Sequence, residues 1–138
     1  ATWLSGNAQL GYGDGDEATC IPSGDMGGGT LCLPTGNNKH ISRYFRKSIT
    51  IANPSAYKSL QFKIKRDDGF VLYVNGTEIA RNNLPGGAIV YGTLATTSVD
   101  DEIISITVPN TVFATAIKRM NSLNLFVIMI NSFGGWTK

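Results

Sequence analysis

Three groups of carboxylates are the first residues in this chain that could do chemistry: Asp14, Asp16 and Glu17; Asp67 and Asp68; Asp100, Asp101 and Glu102. Glycoside hydrolysis needs two carboxylates facing each other across a bond. All three groups here sit among glycines and turn formers, which favours loop structure or a hard cation over acid–base work. Asp14-Gly15-Asp16 offers two hard oxygen ligands without the spacing of an EF-hand loop. Two readings of Asp14 and Asp16 stand side by side: plain Asp/Gly turn chemistry, or a structural calcium. His40 is the one histidine, and it has no nucleophile or second ligand at motif spacing. No nucleophile elbow, zinc-protease helix or phosphate loop occurs. The chain is expected to be no enzyme and to hold no cofactor other than that calcium.

Binding chemistry is better represented. Sugar rings stack on exposed aromatics, whereas buried aromatics build cores. Trp3, Tyr12, Tyr91, Phe133 and Trp136 lie in or near loops, while Phe45, Phe62 and Phe126 alternate as core residues. Tyr91 and Trp136 are the expected stacking platforms. Asp67, Asp68, Arg81 and Asn82 are the expected polar partners, because an antiparallel return after Asn75-Gly76 brings Arg81 back toward Asp67. Asp68 and Arg81 then form an ion pair that fixes the hairpin, or present a polar patch to a sugar.

Strands must position these residues. Leu60-Gln-Phe-Lys-Ile-Lys65 alternates strictly, with Leu60, Phe62 and Ile64 inward. Tyr44 to Ile51 alternates as a half-buried strand, with Phe45, Lys47, Ile49 and Ile51 on its more apolar face. Arg66-Asp-Asp-Gly69 reads as a hairpin turn, and Asn75-Gly76 is the strongest short hairpin signal in the chain. Phe62 to Arg81 is thus expected to form three consecutive antiparallel strands. Ala88 to Tyr91, Ile103 to Val108 and Leu123 to Ile130 complete the set. Thr111 to Met120 is the one candidate helix, capped by Pro109 and Asn110. Phe70, Leu72, Val74 and Phe126 are expected to share a core with Leu60, Phe62 and Ile64. Short strands at roughly ten-residue spacing, without intervening helices, argue for an antiparallel sandwich or barrel.

Composition sets the outer limits. The 138 residues fit one domain spanning 1–138, with 42% hydrophobic and 16% charged residues. That is a globular balance. A net charge of +2 is too small for a nucleic-acid footprint. No apolar run of about 18 residues exists, so no membrane-spanning helix is expected. Cys20 and Cys32 flank a glycine-rich segment. A disulfide closing that loop is the simplest reading, and two buried thiols in a reducing compartment are the alternative. The bridge points to an oxidising, extracellular location, and the start at Ala1 is consistent with a processed product.

Arg66-Asp-Asp-Gly-Phe-Val-Leu-Tyr-Val-Asn-Gly-Thr-Glu-Ile-Ala-Arg81 resembles the central motif of galactose-binding-like β-sandwich modules. Such modules are appended to secreted bacterial enzymes and surface proteins, purple-acid-phosphatase-like proteins among them. Leu10-Gly-Tyr-Gly-Asp-Gly15, Tyr44-Phe-Arg-Lys47 and Asn83-Leu-Pro-Gly86 are similar to further pieces of the same pattern, in the same order. The resemblance implies an antiparallel jelly-roll sandwich in a secreted or cell-surface protein. Leu123 to Asn131 departs from it by lacking the polar His-Gln pair. No clear final strand follows, so one is expected from a neighbouring segment or another chain. The expected function is non-catalytic binding of a polysaccharide or glycan. The alternative is a structural module of a filament, adhesin or viral particle, joined to a neighbouring domain or to identical subunits by strand addition.

Overall fold

The computed structural model describes Trp3 and residues 5–11, 17–21, 41–112 and 122–130. The side chains of Pro54, Ser122 and Leu123 are excluded from that description. The chain divides into two compact units, residues 1–40 with 134–138, and residues 41–133.

In the first unit, β1 (Leu10–Gly11) and β2 (Thr19–Cys20) pair in parallel. Ile21 N–H donates to Gly11 O at 2.9 Å and Thr19 Oγ1 donates to Asn7 O at 2.9 Å. Cys20 is not a free thiol. Cys32, Asp14, Asp16, Trp136 and His40 lie outside the described residues. The Cys20–Cys32 bridge is therefore carried as a prediction. The native protein should resist alkylation at both sulfurs and gain about two hydrogens in mass on reduction. Two thiols alkylated without reductant would refute it.

Among its described residues the second unit is mostly β. Its strands are β3 (Ser42–Thr50), β4 (Ser59–Arg66), β5 (Gly69–Val74), β6 (Thr77–Asn82), β7 (Glu102–Pro109) and β8 (Ser122–Ile130). One antiparallel sheet runs β3-β8-β5-β6, and β4 pairs antiparallel with β7 in another. The phase of β4 matches its alternation: Leu60, Phe62 and Ile64 are half-buried, and Gln61 and Lys63 are exposed. The Asn75-Gly76 hairpin joins β5 and β6. Both turn residues take left-handed backbone, at φ 49° and 82°, as a tight two-residue turn requires.

Three expectations are corrected. Arg66 to Gly69 is not a hairpin turn, because β4 gives its ladder to β7 and β5 gives its ladder to β6 and β8. The chain crosses from one sheet to the other at Asp67-Asp68. Gly69 answers a different need from the one its Asp-Gly context suggested. A Cβ there would meet Leu84 Cδ2 at 2.9 Å, Asn83 O at 3.0 Å and Asn82 O at 3.1 Å. The left-handed residue of this corner is Asp68, at φ 46°. Second, Ala88 to Tyr91 is loop rather than strand. Gly87 is left-handed at φ 87°, and a turn follows in which Thr93 N–H donates to Val90 O at 2.9 Å. Third, Phe126 does not join Phe62 and Val74. Leu125 takes that place, because the register of β8 turns Phe126 to the opposite face with Val71 and Ile128.

Two apolar clusters result. Val74 and Val108 centre one, with Leu60 and Phe62 of β4, Ile106 of β7, Ile79 of β6 and Leu125 of β8 against them. Val71, Ala95, Ile128 and Ile130 centre the other, on the opposite face of the four-stranded sheet. Leu84, Ile89 and Ala95 of the 83–101 loop cover that second cluster. Asn110 to Val112 begin a helical turn, and the rest of the candidate helix lies outside the described residues. No helix among the described residues is long and apolar enough to cross a membrane.

Candidate functional site

The four-stranded sheet brings several of the expected residues to one end. Ser42 pairs with Ile130, Ile130 with Gly69, and Phe70, next along β5, with Asn82. Asp67, Asp68, Asn82 and the 83–99 loop therefore cluster about that end, and Ser42 ties Tyr91 to it by donating from Oγ to Tyr91 O at 3.3 Å. With strands about 4.8 Å apart, Ser42 and Asn82 are separated by roughly 14 Å.

Asp68 at this end is structural in its bonding. Asp68 is 2% exposed. Its N–H donates to Val99 O at 3.1 Å, and Val99 N–H donates to its Oδ1 at 2.9 Å. Asp67 and Arg66 are also buried. Arg66 donates to Asp68 O and to the Glu102 carboxylate, while Lys65 pairs with Asp101 at 2.9 Å. The expected Asp68–Arg81 ion pair does not form. Arg81 donates from Nε and Nη2 to the two Glu78 oxygens, each at 2.8 Å, and from Nη1 to Pro85 O. Arg81 lies opposite Val71 on the loop-covered face, three residues from Glu78 on its own strand. Hydrogen bonding from Arg81 lowers the Glu78 pKa and raises that of Arg81, so this pair stays ionised.

Asn83 is the hub that sequence reading missed. Its Nδ2 donates to Asp68 O at 3.0 Å and to Thr97 O at 2.7 Å. Its Oδ1 accepts from Thr96 Oγ1, from Thr97 N–H at 3.1 Å and from Thr97 Oγ1 at 2.8 Å. One side chain thus fastens the sheet corner to the far end of the loop. Tyr91 sits in the middle of that loop and is 63% exposed, with Val90 and Leu94 exposed beside it.

A second surface was not expected as a site at all. On the face that carries Val71 and Ile128, the described residues Leu84, Ile89 and Ala95 of the loop pack near the Ile130 end. Further along, the register aligns Arg46, Phe126 and Tyr73 across β3, β8 and β5, with Tyr44 and Ser48 two residues either side of Arg46. Tyr44 and Phe126 stack with ring centroids 5.9 Å apart at 26°, and Tyr73 tilts against Phe126 at 6.2 Å. Tyr44 is 45% exposed, and Arg46, Ser48, Glu78 and Asn124 are exposed around the rings. Ser48 Oγ donates to Asn124 Oδ1 at 2.7 Å. A depression of about 650 Å³ is lined by Arg46, Ser48, Asn124 and Phe126 of this face and by Lys47 and Leu125, which alternate to the opposite one. Its signal in the sequence was present: Tyr44 alternates with Arg46 and Ser48, and Phe126 with Asn124, so each aromatic shares a face with polar neighbours.

Among the described residues no group of three or more His, Cys, Asp or Glu side chains could hold a metal ion. The arrangement is suited to holding a flat, hydroxylated ligand against aromatic rings. No family model, no curated protein and no solved structure matches the chain.

Proposed function

We propose that this chain is a non-catalytic carbohydrate-binding module of a secreted or cell-surface protein, built as an antiparallel β-sandwich of galactose-binding-like type. The observation that carries the reading is the aromatic row Tyr44–Phe126–Tyr73 on one face of the four-stranded sheet, where Tyr44 is exposed together with Arg46, Ser48, Asn124 and Glu78. The apolar face of a pyranose lies on such rings, and its hydroxyls meet the polar rim. The sandwich is supported by the Val74–Val108 cluster, which draws side chains from both antiparallel sheets.

Binding to an array of soluble and insoluble polysaccharides tests this. Tyr44→Ala should weaken binding about tenfold, since ring stacking contributes about 1 kcal/mol or more. Its melting temperature should stay near that of the parent, because the ring is half exposed. Tyr91→Ala is the comparison. Loss at Tyr91 with no loss at Tyr44 would move the site to the sheet end, and absence of binding to every glycan would overturn the reading. The exposed Val90, Tyr91 and Leu94 favour the second reading, an assembly module that docks a protein there. Light scattering separates the two: concentration-dependent oligomers that Tyr91→Ala abolishes would support assembly.

A further inference from the structure

The tip of the β5–β6 hairpin carries a reactive pair that the binding surfaces do not use. Asn75-Gly76 is the chain's one Asn-Gly step. An asparagine before glycine loses its side-chain amide most readily, because no side chain shields the backbone nitrogen that follows. Gly76 is exposed, and a Cβ built on it would meet nothing within 4 Å. What restrains Asn75 is β8. Asn75 N–H donates to Asn124 O at 2.9 Å, and Asn124 N–H donates to Asn75 Oδ1 at 2.8 Å. Asn75 Nδ2 is buried and has no hydrogen-bond partner among the described residues. The amide is thus held by its oxygen and sealed at its nitrogen, while the glycine beside it stands open to water.

We propose that Asn75 is a modification site gated by the fold: it deamidates when the hairpin tip parts from β8, and the product does not refasten. Gly76 N attacks Asn75 Cγ, and the new C–N bond forms as the Cγ–Nδ2 bond breaks. Nδ2 leaves as ammonia, with the proton of the Gly76 amide. Water then opens the cyclic imide at either carbonyl, leaving aspartate or isoaspartate. An amide and a water thus become a carboxylic acid and ammonia, with no change of oxidation state. Ring closure must first free Cγ from the hold of Asn124 N–H on Oδ1, so local opening sets its rate. Conversion to aspartate puts a carboxylate oxygen where the buried, unpartnered Nδ2 was. Isoaspartate also lengthens the backbone of a turn whose geometry is tightly set. The effect reaches beyond the tip, because Asn124 Oδ1 is the acceptor of Ser48 Oγ on β3.

The test holds the unsubstituted protein at mildly alkaline pH, samples it over time and maps it by trypsin digestion and mass spectrometry. The peptide Asp67–Arg81 contains no other Asn or Gln, so amide-to-acid conversion there reports Asn75 alone. The same chain unfolded in guanidinium chloride is the reference. Conversion should be slower in the folded chain by roughly tenfold or more. Converted protein, separated by ion exchange, should melt below the parent. Asn75→Asp, which matches one product, should also melt lower and move the amide NMR signals of Ser48 and Asn124. Gln61→Glu, the same chemical change at an exposed position of β4, should do neither. Equal rates in the folded and unfolded chain overturn the proposal. So does another asparagine that converts faster than Asn75 in the unfolded chain, or a lack of conversion at Asn75 in both states. A converted protein that melts with the parent overturns it as well.

Discussion

Phe70→Ala should destabilise the protein by about 3–5 kcal/mol and lower its melting temperature by roughly 10–17 °C. Phe70 is 0% exposed. It lies on β5, which is paired on both sides, opposite Asn82 of β6 and Met129 of β8. Truncation leaves a cavity that neither neighbour can close, since both are fixed by their ladders. Lys63→Ala is the matched control. Lys63 is exposed on β4 between half-buried Phe62 and Ile64, and its loss should change stability by less than about 0.5 kcal/mol. Chemical denaturation with both variants checks the pair. A Phe70 variant costing less than the Lys63 variant would mean the phases of β4 and β5 are wrong.

Asn83→Ala should cost about 2–3 kcal/mol, from two separable sources. The first is loss of the side-chain bonds to Asp68 O, Thr96 and Thr97. The second is backbone strain, because Asn83 sits at φ 54°, where a Cβ without a local hydrogen bond is unfavourable by about 1 kcal/mol. Asn83→Gly removes the bonds without adding the strain, so it should be the milder variant by about that amount. Asn83→Asp keeps the acceptor for both threonines but turns a carboxylate toward two carbonyl oxygens. In all three, amide exchange should rise first across residues 84–99. If glycine proved as damaging as alanine, the strain component would be absent.

The strands themselves were legible because period-two alternation is local. Leu60 to Lys65 and the Asn75-Gly76 hairpin need no knowledge of the rest of the chain. Sheet membership was not legible, because alternation looks the same whichever neighbour a strand pairs with. Arg66-Asp-Asp-Gly69 shows the difficulty: a left-handed residue before a glycine suits a hairpin turn and a crossover corner equally, and only the partners of β4 and β5 distinguish them. The Asp68–Arg81 pairing failed for a related reason. The two residues do return to one end, but Glu78 is three residues from Arg81 on its own strand and claims it first. The aromatic row was hidden because Tyr44, Tyr73 and Phe126 come from three strands far apart in sequence. Assigning Phe126 to the core beside Phe62 put it on the wrong face, and the row dissolved with that choice.

The position of β8 bears on how the chain is made. It follows the other described strands in sequence, yet lies between β3 and β5 in space. As the polypeptide leaves the ribosome, β5 and β6 can close their hairpin at once, whereas β3 has no ladder partner among the described residues until Ser122 to Ile130 arrive. Until then β3 and one side of β5 present unpaired backbone, the state in which strands find wrong partners. Closure by such distant pairings is slow. A nascent chain stopped before Ser122 should therefore be a substrate for chaperones, and the aromatic row would come into existence only with the strand that completes the sheet.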